Sequence, residues 1–321
     1  MVRRLTPVVL AAALAASVAG LAGGPAYASA GSRPVLSVSG EVTTAASYTA
    51  EQLAALPQAT ATVTVGGRQV TDTGVLLETL VTSAGPAYPA SLLNTKNELL
   101  GVTVTVRGAG HRQVTFAVGE LDAGFGNHPA LLALTQNGHR IAHGPELVVP
   151  GDRAPVRFVP RVSRLTVGIA TTPATDTNPA AGSPVEVIDG HHHVTLSAAL
   201  LARLPAETLP VSFLGPSGTQ THTEVGPSLL TVLAAARIRP TLGTWVAAVG
   251  LDNYVATVTP AEQLVSGRPL QLSLNEDGVA LAQPRLVTDG DVHGGRYVSG
   301  VVDIYVGTGP AHQEARPAKG R

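Results

Sequence analysis

The chain contains no cysteine. Thiolate nucleophiles, thiolate metal ligands and disulfides are all excluded by that one absence. Aromatic residues are scarce at 3%, and charged residues reach only 13%, with a formal net charge of -1. So few aromatics leave no platform for stacking bases, and a near-neutral chain has no basic footprint for nucleic acid or an anionic membrane. Several motifs are missing as well. There is no G-x-S-x-G elbow and no H-E-x-x-H pair, and Gly108 to Gly110 lacks the rest of a dinucleotide fingerprint.

What is present is apolar and repetitive. The 321 residues are 44% hydrophobic, enough for two domains that each bury a core. Residues 1–30 read as an export signal. Arg3 and Arg4 open it, Val8 to Leu21 is apolar, and cleavage options follow at Ala26-Tyr27-Ala28 or Ala28-Ser29-Ala30. A twin-arginine signal would want an apolar-basic continuation, which Leu5-Thr6-Pro7 does not supply. The expected mature protein is secreted or extracytoplasmic, with no membrane attachment once the signal is removed. Residues 171–183, rich in Thr, Pro, Ala and Gly, read as a linker, and residues 310–321 as a polar tail. That leaves a first domain at 31–170 and a second at 184–309.

The two segments resemble each other in order. "YTAEQLAALP" from Tyr48 answers "VTLSAALLARLP" from Val194, each a helix followed by Leu-Pro and a strand. Thr49 with Gln52 marks the first helix start as a capping box, and Thr195 with Ala198 marks the second. "TDTGVLLETL" from Thr71 pairs with "TEVGPSLLTVL" from Thr223, a Gly before a Leu-rich helix in each case. Strand pairs "VTVTVRG" with "VTFAV", and "TWVAAVG" with "YVATV", read as hairpins. Asn137-Gly138 and Asp277-Gly278 then mark hairpin turns, with Asn137 matched to Asn275. Last comes a shared closing phrase in which Gly151-Asp152 and Gly290-Asp291 lie 139 residues apart. Strands dominate, so the expected class is α+β with mixed, mostly antiparallel sheets.

This order resembles the molybdopterin-binding domain of the sulfite oxidase-like oxidoreductases, written twice. Leu56-Pro57, Gly74-Val75-Leu76-Leu77, Asn137-Gly138 and Leu147-Val148-Val149-Pro150-Gly151 carry the resemblance in the first copy. Leu204-Pro205, Leu251-Asp252-Asn253-Tyr254 and Gly290-Asp291 carry it in the second. The resemblance implies a molybdopterin cofactor, with basic residues of the strand after the Pro-Gly step lying near it. Those positions are Arg157 and Arg296. The alternative for both is a surface arginine whose stem covers a sheet edge. The family's molybdenum ligand is a cysteine after the Leu-Pro strand, and that slot falls near Gly66 and Gly215, which have no side chain to ligate anything.

Three readings follow. The first is a degenerate binding module for a small-molecule or pterin ligand, with a pocket near Gly66 and few polar groups in it. The second is an active oxidoreductase with a non-cysteine ligand, for which Asp72 is the candidate. The third is an extracellular structural or adhesive tandem module. Other candidates have plainer explanations. His191-His192-His193 reads as a solvated turn, Glu276-Asp277 as a hairpin tip, and His128 as a turn residue that becomes a donor only if pterin binds nearby.

Overall fold

The computed structural model describes residues 33–89, 96–170 and 182–311. The export signal, most of the linker and most of the tail lie outside the described residues. From Arg33 onward the chain clusters as one compact unit. Within it, one element order is used twice.

The first half runs β1 (Leu36–Gly40), β2 (Ala46–Tyr48), α1 (Ala50–Ala55), β3 (Ala59–Val65), β4 (Arg68–Leu76) and α2 (Leu77–Ala84). It continues with β5 (Val102–Arg107), β6 (Gln113–Ala117), α3 (Val118–Leu121), β7 (Leu131–Gln136), β8 (His139–Arg140), β9 (Glu146–Val148) and β10 (Arg164–Ile169). The second half runs β11 (Val185–Asp189), β12 (His192–Leu196), α4 (Ala198–Leu201), β13 (Ala206–Gly215), β14 (Gly218–Pro227) and α5 (Leu229–Ala235). It ends with β15 (Thr244–Gly250), β16 (Val255–Val258), β17 (Leu270–Glu276), β18 (Val279–Thr288) and β19 (Val301–Thr308).

Each half builds two sheets. The first sheets are ordered β2-β1-β10-β5-β6 and β12-β11-β19-β15-β16, the same path position by position. In both, the first and last strands of the half pair in parallel, β1 with β10 and β11 with β19. The second sheets are β3-β4-β7-β8, with β9 also on β7, and β13-β14-β17-β18. Few short helices join these mixed sheets, so the class is α+β. Each half has its own apolar cluster, around Phe116, Leu80 and Leu132 in the first and around Leu233, Leu272 and Ile304 in the second.

Local chemistry explains the elements. Thr49 Oγ1 accepts from the Gln52 amide and Gln52 Oε1 accepts from the Thr49 amide, so the expected capping box is formed. In the second half the cap is Ser197, whose hydroxyl accepts from the Leu200 amide. Thr195 lies instead on β12 and donates to Glu186. A β-branched residue suits the edge strand there, and the next hydroxyl takes the cap. Asn137-Gly138 and Asp277-Gly278 both take positive φ at two consecutive positions, as a type I′ turn requires. Asn137 is equivalent to Asp277 rather than to Asn275. Asn137 Oδ1 accepts from the Thr71 amide just as Asp277 Oδ1 accepts from the Thr223 amide.

Two glycines allow the sheets to close. A Cβ on Gly74 would lie 2.0 Å from the Leu132 carbonyl oxygen, and one on Gly226 would lie 2.2 Å from that of Leu272. Gly74→Ala is therefore expected to cost at least about 2 kcal/mol, since backbone on the neighbouring strand must move. Gly66→Ala meets open space but sits at φ +57°, so it should cost only about 1 kcal/mol. Urea denaturation of both variants checks this ordering, and equal losses would contradict the close approach.

Candidate functional site

The two arginines singled out from the sequence lie at the seam between the halves, each on a short 3-10 turn after the Gly-Asp step. Neither is on the surface, for both are fully buried. The reading of a surface arginine is therefore replaced by a buried charge with protein partners.

Arg157 is held from three sides. Its Nε and Nη2 donate to Asp152 at 2.9 and 2.6 Å, a bidentate pair, and its Nη1 donates to Glu120 Oε1 at 2.7 Å. Nη2 also donates to Ser266 Oγ at 2.8 Å, and Ser266 in turn donates to Asp152 at 2.7 Å. The guanidinium carbon sits 4.8 Å from the centre of the Phe116 ring. Arg296 repeats the arrangement. Its Nε and Nη2 donate to Asp291 at 2.8 and 2.5 Å, and its Nη1 donates to Glu262 at 2.8 Å. Thr288 and Arg268 complete the shell of Asp291.

The second basic residues differ. His128 and Arg268 are equivalent, and their amides donate to the carbonyls of Glu120 and Glu262 respectively. Arg268 reaches Asp291 at 3.1 Å. His128 Nδ1 lies 3.0 Å from Glu120 Oε1. A carboxylate can only accept, so Nδ1 carries the hydrogen, and the 3.4 Å approach of Arg157 Nη2 to it joins two donors rather than a bonded pair. Nε2 is buried with no hydrogen-bond partner.

The seam is reciprocal. The Arg153 amide donates to the Val265 carbonyl, and the equivalent Val292 amide donates to the Phe125 carbonyl. Thr259 of the second half donates to Glu120 of the first at 3.3 Å. Gly119 packs against the Arg296 stem, where a Cβ would lie 3.0 Å from Cδ. Beside the seam, Lys96, Asn97, Asn253 and Tyr254 line a shallow open crevice with room for little more than a water molecule. Asn97 donates to the Tyr254 hydroxyl at 2.9 Å, which donates to the Gly295 carbonyl at 2.5 Å.

The acids respond to these surroundings in opposite directions. Burial alone would raise Glu120, but the charges of Arg157 and His128 outweigh it and hold the carboxyl at about 2. Glu262 is pushed up by burial, with the Glu120 charge adding to it and Arg296 opposing. Arg157 and Arg296 are both raised, because their carboxylates outweigh the lowering effect of burial.

The other candidates lie elsewhere. Gly66 forms the β3–β4 turn with Gly67, and a Cβ there would meet nothing within 4 Å, so the pocket expected at Gly66 is not formed. Gly215 closes the β13–β14 turn opposite Gly218. Asp72 is buried on β4, accepts from Gln136 at 3.1 Å, and leaves Oδ2 without a partner. His191 is in the expected turn, while His192 and His193 lie on β12, and His192 Nε2 is 3.3 Å from the Ala236 carbonyl. Among the described residues no group of three His, Asp or Glu side chains is placed to hold a metal ion. A molybdenum dithiolene with its phosphate is anionic and needs free cationic donors and a ligand. Arg157 and Arg296, closed on carboxylates, and Gly66 and Gly215, at hairpin turns, do not suit it as placed. The acidic partners Glu120, Asp152, Glu262 and Asp291 were not identified from the sequence. Their signal was there in part, as an Asp five residues before Arg in both closing phrases.

Glu120→Gln is expected to cost about 3 kcal/mol, since it removes the counter-charge of a buried arginine. Glu262→Gln should likewise be costly, because it removes a counter-charge from the buried Arg296. The folded value of Glu120 lies below its ordinary 4.5, so its contribution is complete above 4.5 and lost as pH falls through about 2. Denaturant titrations at several acid pH values check both, and a variant as stable as the parent at neutral pH would contradict the counter-charge role.

No family model matches the chain, and no curated protein matches it. Among solved structures, it is similar to the sulfane dehydrogenase SoxCD from Paracoccus pantotrophus, at 17% identity and a TM-score of 0.32. That similarity covers 79% of this chain and 61% of the other, so the chain spans about three fifths of that protein's length.

Proposed function

We propose that this chain is an exported, two-repeat binding module related to the sulfite oxidase-like oxidoreductases, without metal-thiolate chemistry. The observation that supports it most is the closure of Arg157 and Arg296 on carboxylates at the seam. Donors spent on protein groups are not available to a cofactor phosphate. Arg157 also bonds across the seam to Ser266, while Arg296 is closed on Asp291 and Glu262 of its own half. In the crevice beside Tyr254 the Asn97 amide and the Tyr254 hydroxyl are committed to each other and to Gly295, which leaves the exposed Lys96 at its rim as the group a small polar ligand would meet.

A second reading, an oxidoreductase with an oxygen ligand, has one observation in its favour. Asp72 Oδ2 and the equivalent Glu224 Oε2 are buried without partners, and burial raises Asp72 above the usual carboxylate range. A purely structural or adhesive module is the third, and it predicts that the crevice takes no ligand.

Expression in a host that makes molybdopterin, with the export signal retained and with it replaced, separates the first two. Molybdenum is counted by mass spectrometry and released pterin by fluorescence, with Gly66→Cys as a companion. The expected result is neither metal nor pterin in any form, the new thiol included, because it would stand on an open turn. Near-stoichiometric molybdenum in the unmodified protein would sink the binding-module reading.

A further inference from the structure

Strands β3 and β13 occupy equivalent outer edges of the second sheets. An open edge presents unpaired N–H and C=O groups to any other strand, and proteins generally blunt it. β13 is blunted. Pro210 stands in its middle, Glu207 adds charge, and the Leu214 amide donates to the Val292 carbonyl at 2.7 Å, so a neighbouring segment covers its far end. β3 has none of these devices. Its sequence, "ATATVTV", carries no charge and no proline, and among the described residues its backbone pairs with β4 alone.

The strand is also self-complementary. Thr60, Thr62 and Thr64 lie on one face and are exposed. Ala59, Ala61, Val63 and Val65 lie on the other. Val63 belongs there to a small apolar cluster with Leu131, Ala133 and Val148, against which Ala59 and Ala61 pack. If two copies of β3 run antiparallel about Thr62, that residue opposes itself, Thr60 opposes Thr64, Ala61 opposes Val63 and Ala59 opposes Val65. Every cross-strand pair then joins like with like, threonine with threonine and apolar with apolar. The small cluster of each copy continues into the other, and no charge opposes a like charge.

We propose that β3 is a homodimer edge: two copies of this chain pair antiparallel through Ala59–Val65 about a two-fold axis at Thr62. The contact is isologous and therefore closes at two copies. One edge of this length buries less than the ~1,600 Å² of a standard interface, so the dimer is weak and depends on concentration.

The test exploits the self-opposed residue. Sedimentation velocity of the mature chain from micromolar to millimolar concentration should show a monomer–dimer equilibrium. Thr62→Lys and Thr62→Glu place like charges face to face, and each alone should weaken association about tenfold or more. An equimolar mixture sets Lys against Glu and should restore it. Thr62 is exposed, so both variants should melt with the parent. In the parent, β3 amides should gain exchange protection as concentration rises, a readout that needs no variant. The proposal is overturned by a parent that stays monomeric, by single variants that associate like the parent, by a mixture that does not recover, or by assemblies larger than two.

Discussion

Two buried guanidinium groups set the terms for this structure. Removing a charge from water costs several kcal/mol even after relaxation, and only close carboxylates with further hydrogen bonds offset it. Arg157 meets that requirement with Asp152, Glu120 and Ser266, and Arg296 meets it with Asp291 and Glu262. Ser266 belongs to the second half but bonds to Arg157 and Asp152 of the first. Separating the halves would strip partners from charges that are already expensive to bury. The seam is thus fixed by geometry as well as by apolar area, because an ion pair tolerates less displacement than two leucines do.

Duplication explains why the charges come in matched sets, and drift explains where the sets differ. Arg268 replaces His128, Ser266 replaces Gly126, and Arg285 replaces Glu146. The last exchange changes a neighbourhood. In the second half Arg285 bonds to both Glu224 and Glu276. In the first half the equivalent Glu146 faces Asp72 without such a cation, and burial together with the Asp72 charge raises it. One half has neutralised its buried acid with arginine, while the other leaves Asp72 to a glutamine amide.

Much of the fold was legible because it rests on local signals. The capping box at Thr49, the Asn-Gly and Asp-Gly turns and the alternating strands each follow from a few neighbouring residues; the turns and strands recur at the second copy, and the capping box does not. The Thr195 cap was misplaced for a physical reason. Threonine is good both at a cap and in a strand, and the pairing of β12 with β11 decided between them. The site was legible only in part. The repeated Gly-Asp and Arg were visible, but Glu120 and Glu262 reach the arginines across more than thirty residues, and nothing local marks a glutamate as a buried counter-ion. A charge is read from sequence as exposed, since an unpaired one cannot be buried. Its pairing is a tertiary fact.

The same reasoning bears on what the repeats can do. A fold does not carry its chemistry with it, and function must be argued from groups that a ligand can reach. Here the strongest cations are turned inward and satisfied, and the glycines in the ligand slots lie at hairpin turns, Gly66 toward open space and Gly215 against the Gln220 side chain. Reach is left to the edges and the seam. The crevice at Tyr254 exists because the second half's Tyr hydroxyl must cross the seam to meet Asn97 of the first. A half on its own would have only one wall. The Asn97–Tyr254 contact therefore depends on the Arg157 cluster without touching it, because Ser266 and Thr259 bond across to Arg157, Asp152 and Glu120 and so keep the two walls in register.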